Sequence, residues 1–323
     1  LHIAMSIEAT LWHPVAACDA LGDGPLAVRL LAHDLVLWRD APDRVRAFAD
    51  RCPHRGAKLS LGGVRDGVLE CAYHGWRFEG SAQCVAVPAL PGFRPPPGHR
   101  ACAYEAREAH GFVWARLAGG EEGLPALDSD ASLRTLVVGP YDVATSAPRV
   151  VENFLDLSHF GFVHEGLLGD RAHTAVPEYR VQATPQGLVA TDCRAWQPQS
   201  HRLAREGSEV AYRYDVVGPY LALLTKQSEG EPGHCDVIAL LVCPMDAERS
   251  RVWFRMGVTD RASSDEELRG FQHLIFTQDQ PILESQSPRS LPLTGGELHS
   301  AADRLSSAYR RYLRLLGISF GVC

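Results

Sequence analysis

Short apolar runs that alternate with polar residues, or are rich in β-branched residues, crowd the first third of the chain. They fall at 26–32 (LAVRLLA), 34–40 (DLVLWRD), 45–50 (VRAFAD), 68–79 (VLECAYHGWRFE) and 111–117 (GFVWARL). A period of two over so many closely spaced segments predicts a small all-β domain, which we bound at 5–118. Residues 119–132 (GGEEGLPALDSDAS) are rich in turn formers and acids and read as a linker or crossing segment. Beyond it, 133–323 opens with a helical stretch through 151–166 (VENFLDLSHFGFVHEG) and continues with strand candidates at 177–184, 187–196, 209–217, 234–245 and 251–258. Two helices follow, near 263–285 and 298–316. In the second, Leu305, Tyr309, Tyr312, Leu313 and Leu316 form an apolar stripe beside Arg310, Arg311 and Arg314, as expected of a helix packed on its own sheet. The predicted fold class is α+β, with the all-β domain first and a sheet flanked by helices second.

Within the first domain, Cys52-Pro53-His54 and Cys71-Ala72-Tyr73-His74 repeat the same Cys-then-His order, with sixteen residues between His54 and Cys71. A Rieske-type [2Fe–2S] centre places two thiolates on one iron and two imidazoles on the other, so two facing loops must each deliver one ligand of either kind. The stretches CPHRGAKLSLGG (52–63) and CAYHGW (71–76) meet that demand. Gly56, Gly62, Gly63 and Gly75 would permit tight loops that bring backbone amides near the cluster. A zinc site with the same ligands is the competing reading, but zinc fingers group their cysteines together and their histidines together.

A second constellation, Asn153, Asp156, His159 and His164, suggests a mononuclear iron site. Asp156 and His159 would share one helix face, whereas His159 and His164 would diverge by about 140° on a regular helix. A π-type turn or a break at Gly161 would bring them together. Taken alone, two histidines on an apolar helix are more often core residues than ligands; the preceding cluster motif reverses that weighting toward a metal. Two histidines and a carboxylate form the facial set of non-haem Fe(II) oxygenases, which leaves metal positions open. For the carboxylate we select Asp279, in FQHLIFTQDQPILESQ (271–286), over Glu284, Asp260 and Asp265. The structural alternative for Asp279 is a helix cap before Pro281.

With C-x-H and C-x2-H, then E-N-x-x-D-x-x-H-x4-H from Glu152 to His164, then Asp279 in a Gln-Asp-x4-Glu-x-Gln setting, the chain resembles the oxygenase (α) subunits of Rieske non-haem iron oxygenases. Its length looks like that of the shorter members, of the vanillate O-demethylase and dicamba monooxygenase type. The resemblance implies a helix-grip second domain and a monooxygenase or demethylase rather than a ring dioxygenase. It also implies a [2Fe–2S] cluster held by Cys52, His54, Cys71 and His74, and an Fe(II) held by His159, His164 and Asp279, with O2 as co-substrate. Electrons would come from an NAD(P)H-dependent reductase or a ferredoxin. In the head-to-tail homotrimer that the family implies, Asp156 would bridge His159 to the cluster ligand His74 of a neighbouring copy, with Asn153 supporting the site. Gln278 departs from the acidic residue that many such relatives carry, which bears on the hydrogen bonding around Asp279. Trp196, His201, Gln227 and Trp253 are candidates for the substrate pocket, with none preferred.

Composition narrows the alternatives. A chain of 323 residues has material for two cores, and a formal charge of −7 gives no basic footprint for nucleic acid. Lys58 and Lys226 are the lysines; the rest of the 32 basic residues are arginines. Nine cysteines without framework spacing read as thiols of a cytoplasmic protein rather than disulfides. The apolar stretch 237–243 is too short to cross a bilayer, and residues 1–4 before Met5 read as an expression scar. Two rivals stay open: an electron-transfer Rieske protein, and a noncatalytic helix-grip binding protein. The expected substrate is a small aromatic or heteroaromatic compound, hydroxylated or oxidatively demethylated.

Overall fold

The computed structural model describes residues 6–121, 123–127, 132–229 and 233–323. Residues 1–4 and part of the linker segment, 122 and 128–131, lie outside the described residues. The chain divides into two compact units between Leu124 and Pro125.

The first unit opens with one helical turn, α1 (Ile7–Thr10), and is otherwise built from strands: β1 (His13–Ala17), β2 (Leu26–Leu30), β3 (His33–Ala41), β4 (Arg44–Ala49), β5 (Gly63–Arg65), β6 (Val68–Glu70), β7 (Arg77–Phe78), β8 (Cys84–Ala86), β9 (Ala103–Ala109) and β10 (Phe112–Arg116). Six form one antiparallel sheet in the order β1-β10-β9-β4-β3-β2, and four form a small sheet in the order β5-β6-β7-β8. The 68–79 run is not one strand: residues 71–76 leave the pleat as a loop between β6 and β7. Under the small sheet lies a core of Val36, Trp38, Phe48, Leu59, Leu69 and Phe78 that includes Cys52 and Cys71.

The second unit contains β11 (Arg134–Val143), α2 (Ala147–Leu155), α3 (Phe160–Val163), β12 (Arg180–Thr184), β13 (Gly187–Gln197), β14 (Ser208–Gly218), β15 (Leu221–Ser228), β16 (Cys235–Asp246), β17 (Arg249–Val258), α4 (Asp265–Ser285) and α5 (Arg304–Leu316). Strands β12 to β17 form an antiparallel meander, and β11 closes its end by pairing with β17. This seven-stranded sheet carries the helices: α2 over β15 to β17, α4 over β11, and α5 over β12 and β13. Hydrophobic burial of a single sheet face dictates that arrangement. On β15, for example, Ala222, Leu224, Lys226 and Ser228 are buried while Gln227 is exposed and Leu223 and Thr225 are half-buried.

Helix ends are set by local chemistry. Helix α4 is capped by Ser264, whose hydroxyl accepts from the Glu267 amide while Glu267 reaches back to the Ser264 N–H, a capping box that starts the helix at Asp265, two residues after the expected 263. The last helix likewise starts late, at Arg304, and ends on left-handed Gly317. Buried ion pairs tie α2 to α5: Arg310 forks onto Glu152 (2.6 and 2.7 Å) and also meets Glu297 (2.5 Å), which Arg149 holds from α2 (2.6 Å). Among the described residues, no helix is long and apolar enough to cross a membrane.

Candidate metal centres and substrate cavity

The two Cys/His loops of the first unit are built alike. In each, the cysteine amide bonds the carbonyl five residues on (Cys52 to Ala57, 2.8 Å; Cys71 to Trp76, 2.9 Å), and the amide four residues on returns to the cysteine carbonyl (Gly56, 2.9 Å; Gly75, 3.0 Å). Closing that loop requires a left-handed residue, and Gly56 and Gly75 stand at φ +75° and +68°. Gly62 serves close approach instead, since a Cβ there would meet the Glu70 carbonyl oxygen at 1.9 Å; Gly63 stands in open space.

The loops bring like ligands together. Both cysteines are 2 % exposed and their thiols lie within hydrogen-bonding reach, while the His54 and His74 rings meet edge to face at 4.6 Å. Burial pushes the Cys52 thiol up to about 11, so a thiolate there needs a metal or other positive charge beside it. His54 Nδ1 is buried with no hydrogen-bond partner, and its ring stacks on Trp76 at 4.4 Å. A thiol pair on the buried side and an imidazole pair on the outer side, with an orphaned ring nitrogen, fit a Rieske cluster. Among the described residues no three of these four side chains gather their ligand atoms within 4.8 Å of one another, which suits a two-iron cluster rather than a single zinc.

In the second unit the helical stretch through the histidines is broken, and not where the sequence suggested. Helix α2 stops at Leu155; Asp156 is extended (φ −86°, ψ 134°), and His159 and His164 flank the single turn α3. The break falls at 156–159, ahead of both histidines, and not at the proposed π-turn; across α3 the His159 and His164 rings meet edge to face at 5.0 Å. Gly161 lies inside α3 for another reason: its backbone packs against the 169–170 segment, where a Cβ would come within 2.7 Å of the Asp170 carbonyl oxygen. Asp279 belongs to the interior of α4, with Pro281 also inside that helix, so it is not a cap.

Among the described residues, His159, His164 and Asp279 are the one group of three such side chains whose ligand atoms lie within 4.8 Å of one another. His159 Nε2 stands 3.4 Å and His164 Nε2 3.3 Å from Asp279 Oδ1. Each ring's other nitrogen is committed: His159 Nδ1–H donates to Asp156 Oδ2 (3.1 Å), and His164 Nδ1–H donates to Gln278 Oε1 (2.9 Å). That fixes both tautomers with Nε2 free for a metal, as metal-ligating histidines require. Asn153 Nδ2 donates to Asp279 Oδ1 (3.3 Å), which orients the carboxylate. Burial would raise the Asp156 carboxyl, but bonds from His159 and from Ser158 hold it below its usual value. Glu284 instead accepts from the Ala144 amide and Gln280, Asp265 pairs with Arg134, and Asp260 caps the turn at 262–263.

The triad forms one wall of a cavity of about 650 Å3, its mouth included. Helices α2 and α4 contribute Phe154, Ile275 and Phe276 to its roof, and β15 to β17 contribute Leu224, Ile238, Leu240 and Phe254 to its floor. Polar groups are few: Tyr212, Tyr214, Lys226 and Gln272 besides the metal-binding set. None of the four pocket candidates read from sequence lines it. Gln227 alternates to the outer side of β15, leaving Lys226 inward; Trp196 stacks on His173 (4.2 Å), His201 on His234 (3.9 Å), and Trp253 is buried elsewhere in the core.

An all-β cluster-binding unit followed by a helix-covered sheet holding a two-histidine, one-carboxylate set defines a Rieske-type oxygenase. Comparison with known proteins agrees: residues 11–97 match the Rieske [2Fe-2S] domain and residues 143–317 the vanillate O-demethylase oxygenase C-terminal domain. The chain belongs to this family, as an oxygenase α subunit with a Rieske [2Fe–2S] domain. It is 31% identical over 318 residues to methylxanthine N1-demethylase NdmA of Pseudomonas putida, covering 94% of this chain and 88% of that protein. To methylxanthine N3-demethylase NdmB of the same organism it is 30% identical over 327 residues, covering 95% and 89%. The solved structure of NdmA with caffeine superposes with a TM-score of 0.83 at 29% identity, covering 95% of this chain and 90% of that one. Dicamba monooxygenase bound to dicamba shares the fold (TM-score 0.78, 22% identity, covering 97% and 98%).

Proposed function

We propose that the chain catalyses oxidative demethylation, with hydroxylation as the variant outcome of the same chemistry, on a small aromatic or heteroaromatic substrate. The convergence of His159 Nε2, His164 Nε2 and Asp279 Oδ1 on one wall of an apolar cavity carries this reading. In it, His159, His164 and Asp279 hold one Fe(II), and Cys52, His54, Cys71 and His74 hold the [2Fe–2S] cluster. When bound, the cluster supplies one-electron storage and the iron supplies dioxygen activation. The protein's own contribution is positional. Asp156 and Gln278 fix the two imidazoles, Asn153 fixes the carboxylate, and the apolar walls exclude water and hold the ring with one carbon toward the metal. Hydroxylation of an N- or O-methyl carbon is followed by loss of formaldehyde; one oxygen atom of O2 enters the methyl group, and the other leaves as water with two electrons and two protons.

Electrons come from an NAD(P)H-dependent reductase or a ferredoxin, and the assembly is a homotrimer in the cytoplasm. In that trimer Asp156 accepts a hydrogen bond from His74 of a neighbouring copy as well as from His159. Two observations support the bridge: the Asp156 side chain is 26% exposed with a lone pair left on each oxygen, and His74 is exposed. The names of the relatives NdmA and NdmB, both methylxanthine demethylases, favour the demethylation branch. The test is anaerobic reconstitution followed by assay with a reductase, dioxygen and a panel of methoxylated, N-methylated and plain aromatic compounds. Formaldehyde release with about three irons per chain is the expected result. Two irons without turnover would leave an electron carrier, and zinc without acid-labile sulfide would leave a binding protein.

A further inference from the structure

A lysine is an unusual residue in this chain. Arginine supplies nearly all of its 32 basic positions, yet one of the two lysines, Lys226, is 7% exposed and lines the cavity beside the triad. Lys58, the other, lies on the surface 3.4 Å from Asp34. The position of Lys226 follows from strand register. On β15 it sits between Tyr212 of β14 and Asp236 of β16, and one step along the same face Leu224 sits between Tyr214 and Ile238. The sheet floor therefore carries an ammonium in its first row and, apart from the Tyr214 hydroxyl, is apolar in its second.

That ammonium lacks a committed acceptor. Asp236 stands directly across the strand pair, but its Oδ2 accepts from His234 Nε2 (3.2 Å) and its Oδ1 is buried with no partner. The nearby carboxylate offsets the charge without hydrogen-bonding it, and burial holds the lysine pKa below its ordinary value. Tyr214, 1% exposed, likewise has a buried hydroxyl without a partner in the same wall. A buried donor left unsatisfied is costly unless a ligand completes it. Apart from Tyr212 and Gln272, the remaining floor and roof away from the triad, such as Leu224, Ile238, Leu240, Phe154, Phe254 and Phe276, offer only apolar contact.

We propose that Lys226 is the specificity-determining residue of the cavity, binding an oxygen acceptor on the substrate ring, a carboxylate or a carbonyl, while the rest of the ring packs against apolar walls. This rests on the oxygenase reading above for the identity of the occupant as a substrate. A lysine suits the task because its ammonium is a compact point charge with three donors on a flexible stem, where an arginine fork would need a flat, two-point acceptor. The Lys226–Asp236 pair is close to neutral, so a neutral carbonyl adds no charge to the cavity; a carboxylate adds one.

The experiment measures binding to the anaerobic holoprotein, wild type and variants, for three matched probes: 4-methoxybenzamide, 4-methoxybenzoate and 4-methylanisole. They share a methoxy end and differ only in the para group: neutral carbonyl, carboxylate or methyl. The expected result is tighter binding of at least one oxygen-bearing probe than of 4-methylanisole by the wild type. Lys226→Met should erase that preference with a loss of about 10- to 100-fold, with 4-methylanisole changed little. Lys226→Gln, which keeps a donor, should retain part of it and checks that the methionine variant has not simply lost its fold. Which oxygen-bearing probe depends on Lys226 identifies the acceptor as carbonyl or carboxylate. A wild type that binds no oxygen-bearing probe better than 4-methylanisole, or a methionine variant that keeps the preference, overturns the proposal. Formaldehyde assayed separately keeps the two readings apart: Lys226-dependent binding with no turnover would sink the demethylase reading alone.

Discussion

Gln278→Leu is the perturbation that most directly tests how the mononuclear site is held. Gln278 Oε1 accepts from His164 Nδ1–H at 2.9 Å, and His164 is only 1% exposed, so water cannot replace the lost acceptor. Removing it leaves a buried N–H unsatisfied, at about 1–3 kcal/mol, and frees the ring to rotate or to change tautomer. Loss of such a supporting bond typically lowers metal affinity by about 10- to 100-fold, the same range expressed as a binding constant. The assay is anaerobic Fe(II) titration of protein whose cluster is already in place. The visible absorption of the cluster serves as an internal control, because Gln278 belongs to the second unit. Gln278→Glu keeps an acceptor at the same position and should restore affinity to wild type or better. Fe(II) affinity unchanged in the leucine variant would refute the idea that this hydrogen bond organises the site, and an equal loss in the glutamate variant would refute the acceptor argument.

Replacing His159 by Ala should preserve the cluster absorption and abolish substrate oxidation; continued turnover would remove His159 from the reaction. Asp156→Ala loaded with saturating Fe(II) should hold both metals yet slow single turnover, and normal single-turnover rates would eliminate the bridge between neighbouring copies. Gly75→Ala forces a Cβ to a left-handed position (φ +68°) and within 3.1 Å of Pro88 Cγ, so cluster content should fall, with a backbone cost of about 1–2 kcal/mol; full cluster incorporation would show that the loop can rearrange. Burial works against the Glu297 carboxylate, but Arg149 and Arg310 hold its pKa below the ordinary 4.5. A depressed acid stabilises the fold above its unfolded pKa and loses that contribution as pH falls through the folded value. Thermal midpoints followed downward from pH 5.5 should therefore drop less steeply in Glu297→Gln than in wild type, and parallel curves would discount the pair.

The candidate ligand groupings were legible because residue type and spacing constrain them tightly. Two Cys-then-His loops admit few uses, and a buried carboxylate late in an amphipathic helix, Asp279, could be singled out from local pattern alone. Strand β14 is legible from clean alternation, and β13, β16 and β17 from long runs rich in apolar and β-branched residues. Other features depend on tertiary context. Strand β11 reads as turn-rich, with Gly139 and Pro140 in its middle, and is recruited by pairing with β17; β15 follows β14 through a two-residue turn that the apolar pattern runs across. The break at Asp156 was misplaced onto Gly161 because glycine signals both helix breaking and close backbone approach, and only the neighbouring 169–170 segment distinguishes them. Lys226 is not among the pocket candidates that the sequence offers, yet it lines the cavity where Gln227 does not, because the phase of β15 is set by its pairing with β14 and β16 and not by polarity.

That one-residue phase is also what joins the two ends of the proposed substrate site. The cavity is a sheet floor facing helix ends, so its chemistry is set by which member of each strand pair points inward and by where α2 stops. The buried pairs of Arg310 with Glu152 and Glu297, and of Arg149 with Glu297, hold α2 against α5, and α2 carries Asn153 and leads directly into Asp156. A slip of β15 by one residue would send Lys226 and Leu224 outward together and bring Thr225 and Gln227 in. The pairing of Tyr212 with Lys226 and of Lys226 with Asp236 therefore specifies the recognition end of the cavity just as the stop of α2 at Leu155 specifies its metal end.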